Sequence, residues 1–448
     1  MIEARGYQVK AIDSFKANNW RGILEMATGT GKTITSLIIA NEYKNYYNRI
    51  FLIILVPFTH LVDQWEENCE VLGFTNLLKC YGAKDSWKYK LQGRVRDFNI
   101  GITDVEVVIS TYKTASSIKF NESIKSIRSN AFIIGDECHY FGIKGLRNHS
   151  LGGIHGRLGL SATPDRWWDE NGTSFLREYF NDTVYEYTME EAIENGILTE
   201  YKYTPIVVDL TEEETKRYEQ LTKILINMLS TKGTDKEEIE EINRKRSMVL
   251  SKAKNKKEVL YNILENKKVE EVANTLIYCA PGEINEITLE LSRLGYRVHK
   301  FDSTVPLKER GKILKSFSIG SIQILCAIKC LDEGVDVPST REAYFLASTS
   351  NPREFIQRRG RVLRRCEGKN LAAIYDFVVL PSGVSGNLFK SIASKEIPRF
   401  AEFSKYAINR FQARTVVGPY LNIHSLEYLM DKLPWDVYNE MMELREEI

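Results

Sequence analysis

The segment 26–33, MATGTGKT, has the residue types that a phosphate-binding loop needs. Gly29 and Gly31 let backbone N–H groups point at phosphate oxygens, and the N-terminus of a following helix adds its positive end. Lys32 would reach the β- and γ-phosphates, and the Thr33 hydroxyl would bind Mg²⁺. The strict pattern has glycine at position 26, where this chain has methionine. The sequence predicts a nucleotide site formed by Thr28, Gly29, Thr30, Gly31, Lys32 and Thr33.

Two adjacent carboxylates, Asp136 and Glu137, follow the apolar run AFIIG. A carboxylate at the end of a strand, in the same sheet as the phosphate loop, can hold Mg²⁺ through water. The carboxylate next to it can orient and deprotonate an attacking water. We therefore predict that Asp136 holds the metal and that Glu137 is the general base of ATP hydrolysis. A solvated acidic turn is the alternative, and the apolar run before the pair weakens it.

These groups need strands to position them, and short apolar runs alternate with helical patterns along both halves of the chain. Near-continuous apolar runs of this kind predict parallel strands buried on both faces, and hence an α/β fold. The predicted strands of the first half are 22–26, 49–56, 105–111, 131–136 and 157–162. Those of the second half are 274–280, 296–301, 322–327, 342–348 and 371–377.

The stretch between the two halves differs in composition. Residues 211–265 are polar, prone to form helix and free of proline, which predicts two helices at about 211–230 and 235–265. A helical tail is expected after Pro381. The chain is therefore divided into a first α/β lobe (1–200), a helical insert (201–270), a second α/β lobe (271–382) and a helical C-terminal tail (383–448).

The overall composition limits what the chain can bind and where it works. It has 61 basic and 60 acidic residues, so a polyanion would have to be held by a local groove rather than by net charge. The longest apolar run, 50–56, is far shorter than the roughly 20 residues of a spanning helix, which argues against a membrane protein. Seven cysteines without a CxxC pair indicate reduced thiols and a cytoplasmic location.

An ordered set of motifs carries a family resemblance. DECH at 136–139, together with ATGTGKT and SAT at 161–163, resembles the first motor lobe of superfamily-two helicases. The same order continues through further motif-like segments: RGYQ at 5–8, LVPFTHLVDQW at 55–65, STY at 110–112, CLDEGVDVP at 330–338 and QRRGRVLR at 357–364. LSATPDR, the helical insert and the glutamine that begins QRRGRVLR are most similar to the XPB and type III restriction group of translocases.

The resemblance implies two tandem RecA-like lobes with ATP and Mg²⁺ bound between them. Gln8 would read the adenine edge. Arg361 and Arg364 would act as arginine fingers on the developing phosphoryl charge, and Gln357 would help to position the water.

Other motif positions have implied roles as well. Gly334 and Asp336 would contact the ribose or the arginine fingers. Ser161, Thr163 and His139 would couple the ATP site to the nucleic-acid side, where Thr111 would contact the phosphates of a strand without reading sequence.

The insert carries a further nucleic-acid candidate. Residues 244–257 include seven basic residues and no acid. At 100° per residue in one continuous helix, Lys245, Lys252 and Lys256 would lie within about 40° of one another, beside an apolar stripe that would dock the helix. This pattern predicts a grip on DNA phosphates. A solvated charged face is the alternative.

Together these features predict an ATP-dependent DNA helicase or translocase that moves along or remodels duplex or branched DNA. DNA is favoured over RNA as the nucleic-acid partner. No nuclease signature and no N-terminal specificity domain are expected in the chain, which suggests a separate nuclease or specificity protein as a partner. The alternatives are an RNA helicase, or an ATP-gated nucleic-acid clamp with slow turnover.

Overall fold

The structure is a computed structural model. It describes residues 3–82, 86–149, 151–167, 169–231, 235–328, 337–347, 351–437 and 439–440. The chain divides into two compact units, Met1–Asn195 and Gly196–Ile448, and each is built around one parallel sheet. Across these residues, no helix is both long and apolar enough to cross a membrane.

The first unit contains a seven-stranded sheet flanked by helices. Its strands are β1 (Arg21–Met26), β2 (Ile50–Val56), β3 (Leu77–Cys80), β4 (Val105–Thr111), β5 (Ala131–Asp136), β6 (Gly156–Ser161) and β7 (Thr183–Tyr187). Its helices are α1 (Gly6–Ala17), α2 (Lys32–Tyr47), α3 (Thr59–Val71), α4 (Lys88–Asn99), α5 (Tyr112–Ala115), α6 (Ile118–Lys125), α7 (Lys144–Asn148), α8 (Glu170–Phe180) and α9 (Met189–Glu194). The strand order is β3-β4-β2-β5-β6-β1-β7, with all neighbours parallel.

Burial explains which strands of this sheet the sequence reveals. All seven residues of β2 are buried, and β4 and β5 are buried almost throughout, so their apolar runs predicted them correctly. The two strands that the prediction missed, β3 and β7, lie at the edges of the sheet. An edge strand is only half covered, so its residues alternate or mix instead of forming one apolar run.

The second unit contains a six-stranded sheet and the remaining long helices. Its strands are β8 (Glu200–Val208), β9 (Thr275–Tyr278), β10 (Val298–Phe301), β11 (Ile324–Ala327), β12 (Glu342–Phe345) and β13 (Leu371–Val379). Its helices are α10 (Glu212–Ser230), α11 (Lys236–Ser251), α12 (Lys254–Glu265), α13 (Ile284–Arg293), α14 (Leu307–Ser318), α15 (Pro352–Val362), α16 (Gly386–Ser404) and α17 (Arg410–Asn422). The strand order is β10-β11-β9-β12-β13-β8, again with parallel neighbours.

The segment predicted as a helical insert differs from expectation in two ways. Residues 200–208 form β8, an edge strand that pairs along its whole length with β13. The helix predicted over 235–265 is broken into α11 and α12, because Ala253 has the non-helical backbone angles φ −54° and ψ 122°. Leu250, Leu260 and Leu264 pack into the hydrophobic core of the second unit. Helices α11 and α12 therefore belong to that unit's core rather than to a free-standing arm.

The C-terminal helices complete the same unit. Helix α16 buries Ile392 and Phe400, and a buried ion cluster joins it to β13. In that cluster the Arg399 guanidinium lies 3.0 Å from carboxylate oxygens of both Asp376 and Glu396. The ion pairs and hydrogen bonds of these three buried charges offset the cost of removing them from water.

Candidate nucleotide site

Three neighbouring strands of the first sheet end at the same edge and bring the first-lobe motifs together. In the register of the sheet, Ser161 at the end of β6 pairs with Glu25 of β1, and Leu160 pairs with Asp136 of β5. Since parallel strands place their carboxyl ends on one edge, the phosphate loop after β1, the SAT segment after β6 and the DECH segment after β5 adjoin. A ligand-binding crevice is expected at such an edge.

The phosphate loop has the backbone conformation that its glycines predict. Gly29 and Gly31 have φ values of 91° and 84°, and Gly31 caps the N-terminus of α2. A side chain at either position would strain the backbone. Lys32 Nζ donates to the carbonyl of Met26 at 2.9 Å, which folds this cation back over the loop. The buried Thr28 hydroxyl has no hydrogen-bond partner among the described residues, as expected for a polar group that awaits a ligand.

Helix α1 is fastened to this loop. The Tyr7 hydroxyl donates to the carbonyl of Thr30 at 2.6 Å. The Gln8 side chain is buried. Its Nε2 donates to Thr35 Oγ1 at 2.9 Å, and its Oε1 accepts from the Arg5 backbone N–H at 3.0 Å. Gln8 thus lies beside the loop and holds α1 to α2, and its adenine contact stays a prediction.

Asp136 is a buried carboxylate with two donors on its side chain. Its Oδ2 accepts from the indole Nε1 of Trp65 at 2.8 Å, and its Oδ1 accepts from the Glu137 backbone N–H at 3.1 Å. Burial raises the pKa of Asp136 to about 6, and the negative charge of Glu137 adds to the rise. The Trp65 hydrogen bond and the positive charge of Lys32 act in the opposite direction.

Glu137 is held in an uncommon backbone conformation, with φ 47° and ψ 58°. Its buried Oε2 accepts no hydrogen bond from the part of the chain that the structure describes, and it lies 3.5 Å from His139 Nδ1. A buried acceptor with spare capacity at a strand end is suited to bind the proton of a water. The position fits the general base that the sequence predicts.

The donor set also fits the metal that the sequence predicts. Within the described ranges, no three His, Cys, Asp or Glu side chains cluster into an all-protein metal cage. Mg²⁺ commonly uses one or two carboxylates together with water and substrate phosphates. Asp136 at the end of β5 offers such a carboxylate. One strand, β6, separates β5 from β1, and β1 leads into the loop that contains Thr33. Thr33 and Asp136 would hold the ion.

The SAT segment continues into a link with the DECH segment. Ser161 Oγ accepts from the Thr163 backbone N–H at 3.1 Å. A few residues on, the Arg166 guanidinium donates to the carbonyl of His139 and pairs with Asp169 at 2.7 Å. The structure therefore brings His139, Ser161 and Thr163 close to the candidate site. Their coupling role stays a prediction.

The predicted first-lobe strand contact is less accessible than expected. Thr111 is buried at the end of β4, and its Oγ1 caps α5 by accepting from the Thr114 backbone N–H at 3.3 Å. Its hydroxyl is thus engaged within the protein. Gly334 and Asp336, predicted near the ribose, lie outside the described residues.

Helix α15 carries the predicted arginine motif of the second unit. Gln357 and Arg361 are buried on it, and Arg364 follows in a short antiparallel bridge with Leu198. Arg359 is 1% exposed and pairs with Glu402 at 2.5 Å, so this neighbouring arginine serves the packing of α15 against α16. The roles of Gln357, Arg361 and Arg364 stay predictions.

The structure contradicts the predicted DNA contact of Lys256. This lysine is 3% exposed, and its Nζ donates to the carbonyl of Leu346 at 2.9 Å. Burial lowers its pKa to about 8. The prediction assumed one continuous helix, and the break at Ala253 rotates Lys256 away from the other two lysines. Lys245 is half-exposed and pairs with Glu241 at 2.6 Å, and Lys252 is partly exposed.

Two residues of the site were missed in the sequence. Trp65 and Tyr112 lie within the segments 55–65 and 110–112, and each donates a hydrogen bond to Asp136. Their contacts depend on which strands are neighbours in the sheet. The available signal was that both are aromatic donors within motif-like segments that follow predicted strands of the first lobe.

Comparison with known proteins supports both lobes. Residues 1–166 match the family model of the type III restriction enzyme res subunit, and residues 255–366 match that of the helicase conserved C-terminal domain. The DNA 3′-5′ translocase XPB2 of Sulfurisphaera tokodaii is 29% identical over 381 residues, which cover 81% of this chain and 79% of that protein. The ATP-dependent DNA helicase uvsW of enterobacteria phage T4 is 22% identical, covering 84% of this chain and 68% of the relative.

A solved structure supports the fold. The ATP-dependent Type ISP restriction-modification enzyme LlaBIII, solved bound to DNA, superposes with a TM-score of 0.62 at 17% identity. The match covers 96% of this chain and 33% of that one, so this chain spans about a third of the larger enzyme. Two family models thus match the chain in order, and the chain is similar to helicases and translocases of the XPB and type III restriction group.

Proposed function

We propose that this protein is an ATP-dependent DNA helicase or translocase that couples ATP hydrolysis to movement along, or remodelling of, duplex or branched DNA. The observation that carries the proposal is the common edge of β1, β6 and β5, where the phosphate loop, the SAT segment and the two DECH carboxylates adjoin. Relatives over most of the chain are named as a DNA translocase and a DNA helicase, which supports DNA as the nucleic acid.

In this proposal each group at the edge has one task. The backbone N–H groups around Gly29 and Gly31 bind the phosphates, and Lys32 neutralises charge on the β- and γ-oxygens. Thr33 and Asp136 would hold Mg²⁺, which when bound would supply positive charge to stabilise the developing phosphoryl charge. Glu137 orients the attacking water and accepts its proton.

The remaining site residues are proposed on the motif resemblance. Arg361 and Arg364 stabilise phosphoryl charge, while Gln357 helps to position the water. Gln8 reads adenine, and Gly334 and Asp336 contact the ribose or the arginines. Because the relatives include restriction enzymes, we also propose that a separate nuclease or specificity protein works beside this motor.

ATP hydrolysis measured side by side with single-stranded DNA, duplex DNA, forked DNA and RNA tests the nucleic-acid partner. We expect duplex or forked DNA to stimulate turnover most. Stimulation by RNA alone would point to an RNA helicase.

Strand displacement and triplex displacement test for movement. A motor displaces the third strand or the annealed oligonucleotide only while it hydrolyses ATP. A clamp lengthens its residence on DNA with ATP and displaces nothing. The second result would contradict the motor and leave the nucleotide site intact.

A further inference from the structure

Asp136 is fixed by two buried aromatic donors that come from different segments. The Trp65 indole Nε1 donates to its carboxylate Oδ2 at 2.8 Å, and the Tyr112 hydroxyl donates to its backbone carbonyl at 2.8 Å. Both aromatic side chains are 2% exposed. One aromatic donor therefore holds the carboxylate of the candidate metal ligand, and the other holds its backbone carbonyl.

The order of the strands explains why these two donors reach the same residue. Strands β4, β2 and β5 are consecutive in the sheet, so the segments after β4 and β2 end beside the DECH segment. Trp65 lies in the second turn of α3, which follows β2, and Tyr112 begins α5, which follows β4. On the other side of β5, β6 and β1 lead to the SAT segment and the phosphate loop. Asp136 lies where the two sets of loops meet.

A chain of ring contacts runs from the surface to the same point. Phe58, at the N-cap of α3, is 37% exposed, and its ring packs edge-on against Tyr140 at 5.8 Å. Tyr140 in turn stacks on Tyr112 at 6.0 Å. A ligand that displaces the exposed N-terminal end of α3 would therefore also displace the packed rings of Phe58, Tyr140 and Tyr112. Packed interiors transmit such displacements because they have few voids.

The chemistry of Asp136 makes it sensitive to these donors. A buried carboxylate is stable only when its oxygens are hydrogen-bonded, and loss of one donor allows the group to reorient. Partners that orient a metal-binding side chain commonly change metal affinity by about 10–100-fold when they are removed. Movement of α3 or α5 would alter the same two hydrogen bonds without touching the nucleotide.

We propose that Trp65 and Tyr112 are positioning residues that couple DNA binding at the segments after β2 and β4 to the metal-binding carboxylate of Asp136. This inference rests on the proposed function, in which Asp136 binds Mg²⁺ with ATP. Neither aromatic side chain touches the reacting atoms. Each sets the position of a group that binds the metal.

The chain offers a matched control for each donor. Trp65→Phe removes the N–H donor and keeps an aromatic ring. Trp87→Phe makes the same change at a buried tryptophan of the same unit, whose Nε1 has no hydrogen-bond partner among the described residues. Tyr112→Phe removes one hydroxyl. Tyr179→Phe removes a similar buried hydroxyl, which donates to the carbonyl of Leu151 at 2.9 Å away from Asp136.

The first readout is metal binding, measured on the full chain by electron paramagnetic resonance with Mn²⁺ in place of Mg²⁺ and with ADP present. We expect Trp65→Phe to weaken Mn²⁺ binding by at least about 10-fold and Tyr112→Phe to weaken it less, because Tyr112 acts on the backbone. Both control variants should bind Mn²⁺ like the wild type. Equal Mn²⁺ affinity in Trp65→Phe, Tyr112→Phe and their controls would overturn the proposal.

The second readout is the ratio of DNA-stimulated to basal ATP hydrolysis at saturating Mg²⁺. We expect this ratio to fall in both variants and to stay unchanged in both controls. If the wild type shows no DNA stimulation, the proposed function and the coupling fail together. If the wild type is stimulated and both variants match it, only the coupling fails. Should Trp65→Phe lose its fold, as judged by circular dichroism, Tyr112→Phe decides the question.

Discussion

A buried acid of the first unit and two buried cations of the second unit differ in whether described residues of the protein satisfy them. At the edge of the first sheet, Glu137 Oε2 is buried and accepts no hydrogen bond among the described residues. In the second unit, Lys256 is also buried, but its Nζ donates to the carbonyl of Leu346. The buried Arg246 on the preceding helix α11 donates to Thr222, Tyr218 and Ser391.

This difference separates residues that wait for a ligand from residues that hold the fold. A buried polar atom without a partner costs free energy, and at the edge that also carries the phosphate loop such an atom supports a role in ligand binding. A buried cation with all its contacts inside the protein is part of the packing. This contrast supports the proposal of a reaction site at the first edge, and the basic run of α11 and α12 is divided between the core and the surface.

The largest expected effect is at the phosphate loop. Lys32→Ala removes the cation of the loop, so we expect ATP hydrolysis to fall by at least about 100-fold and ATP binding to weaken strongly. Hydrolysis measured by phosphate release, and binding measured with a fluorescent nucleotide, check this. The control is Lys16→Ala, which removes an exposed lysine paired with Glu42 on the surface of the same unit. Wild-type turnover in Lys32→Ala would end the assignment of this site.

The arginines of α15 allow the two kinds of buried charge to be compared on one helix. Arg361→Ala should lower kcat by about 10³-fold or more, with little change in ATP affinity, because its charge acts on the transition state. Arg359→Ala leaves Glu402 without its buried partner, so we expect a loss of about 3–5 kcal/mol of stability. Kinetics and thermal melts of both variants check that Arg361→Ala affects kcat and that Arg359→Ala affects stability. Equal effects on melting and none on kcat would remove Arg361 from catalysis.

Lys256 is expected to affect stability with a defined pH dependence. Burial lowers its pKa from 10.5 to about 8, so between these values the unfolded chain binds a proton that the folded chain does not. The contribution of Lys256 to the free energy of unfolding therefore increases as the pH rises through the window from about 8 to 10.5. Relative to Lys256→Met, the wild type should become more stable by about 2 kcal/mol between pH 7.5 and pH 9.5.

Denaturant unfolding at the two pH values measures this change. Lys257→Met is the matched control. Contacts with Glu283 and Glu286 raise the pKa of Lys257 despite some burial, so its contribution changes only above the window. An identical pH dependence in the wild type and in Lys256→Met would mean that Lys256 is not a buried cation.

The smallest expected effect is that of the two lysines that remain outside the core. Lys245→Glu combined with Lys252→Glu should leave basal ATP hydrolysis intact. If both lysines contact DNA phosphates, the slope of log affinity against log salt should become shallower by about 1.8. Lys223→Glu on α10 is the control, since it is a surface lysine paired with Glu219. An unchanged slope would leave α11 as a solvated face.

The sequence predicted the place of the phosphate loop and the DECH carboxylates in the fold because each is a local motif that follows a buried strand. A phosphate loop after a strand and a carboxylate pair after another strand must share an edge when both strands are parallel members of one sheet. The buried strands of both sheets were recognised for a related reason. A strand covered on both faces is apolar at every position, as in β2.

What the sequence did not predict depends on tertiary structure. The edge strand β8 carries Pro205 and alternating polar residues, so it gave no continuous apolar run. The break at Ala253 has no proline or glycine to mark it, and it changed the face on which Lys256 lies. Trp65 reaches Asp136 across 71 residues of sequence, and only the pairing of β2 with β5 brings them together.

In the proposed function, the phosphate loop and the DECH carboxylates form one hydrolytic site. Glu137→Gln tests it most directly, because it keeps Asp136, Lys32 and the loop but removes the proton acceptor. After mixing with substoichiometric radiolabelled ATP and acid quenching, the wild type should yield ADP, while the variant should yield intact ATP. A turnover reduction of about 10²–10⁴-fold would accompany this result. ATP hydrolysed by Glu137→Gln at the wild-type rate would contradict the account.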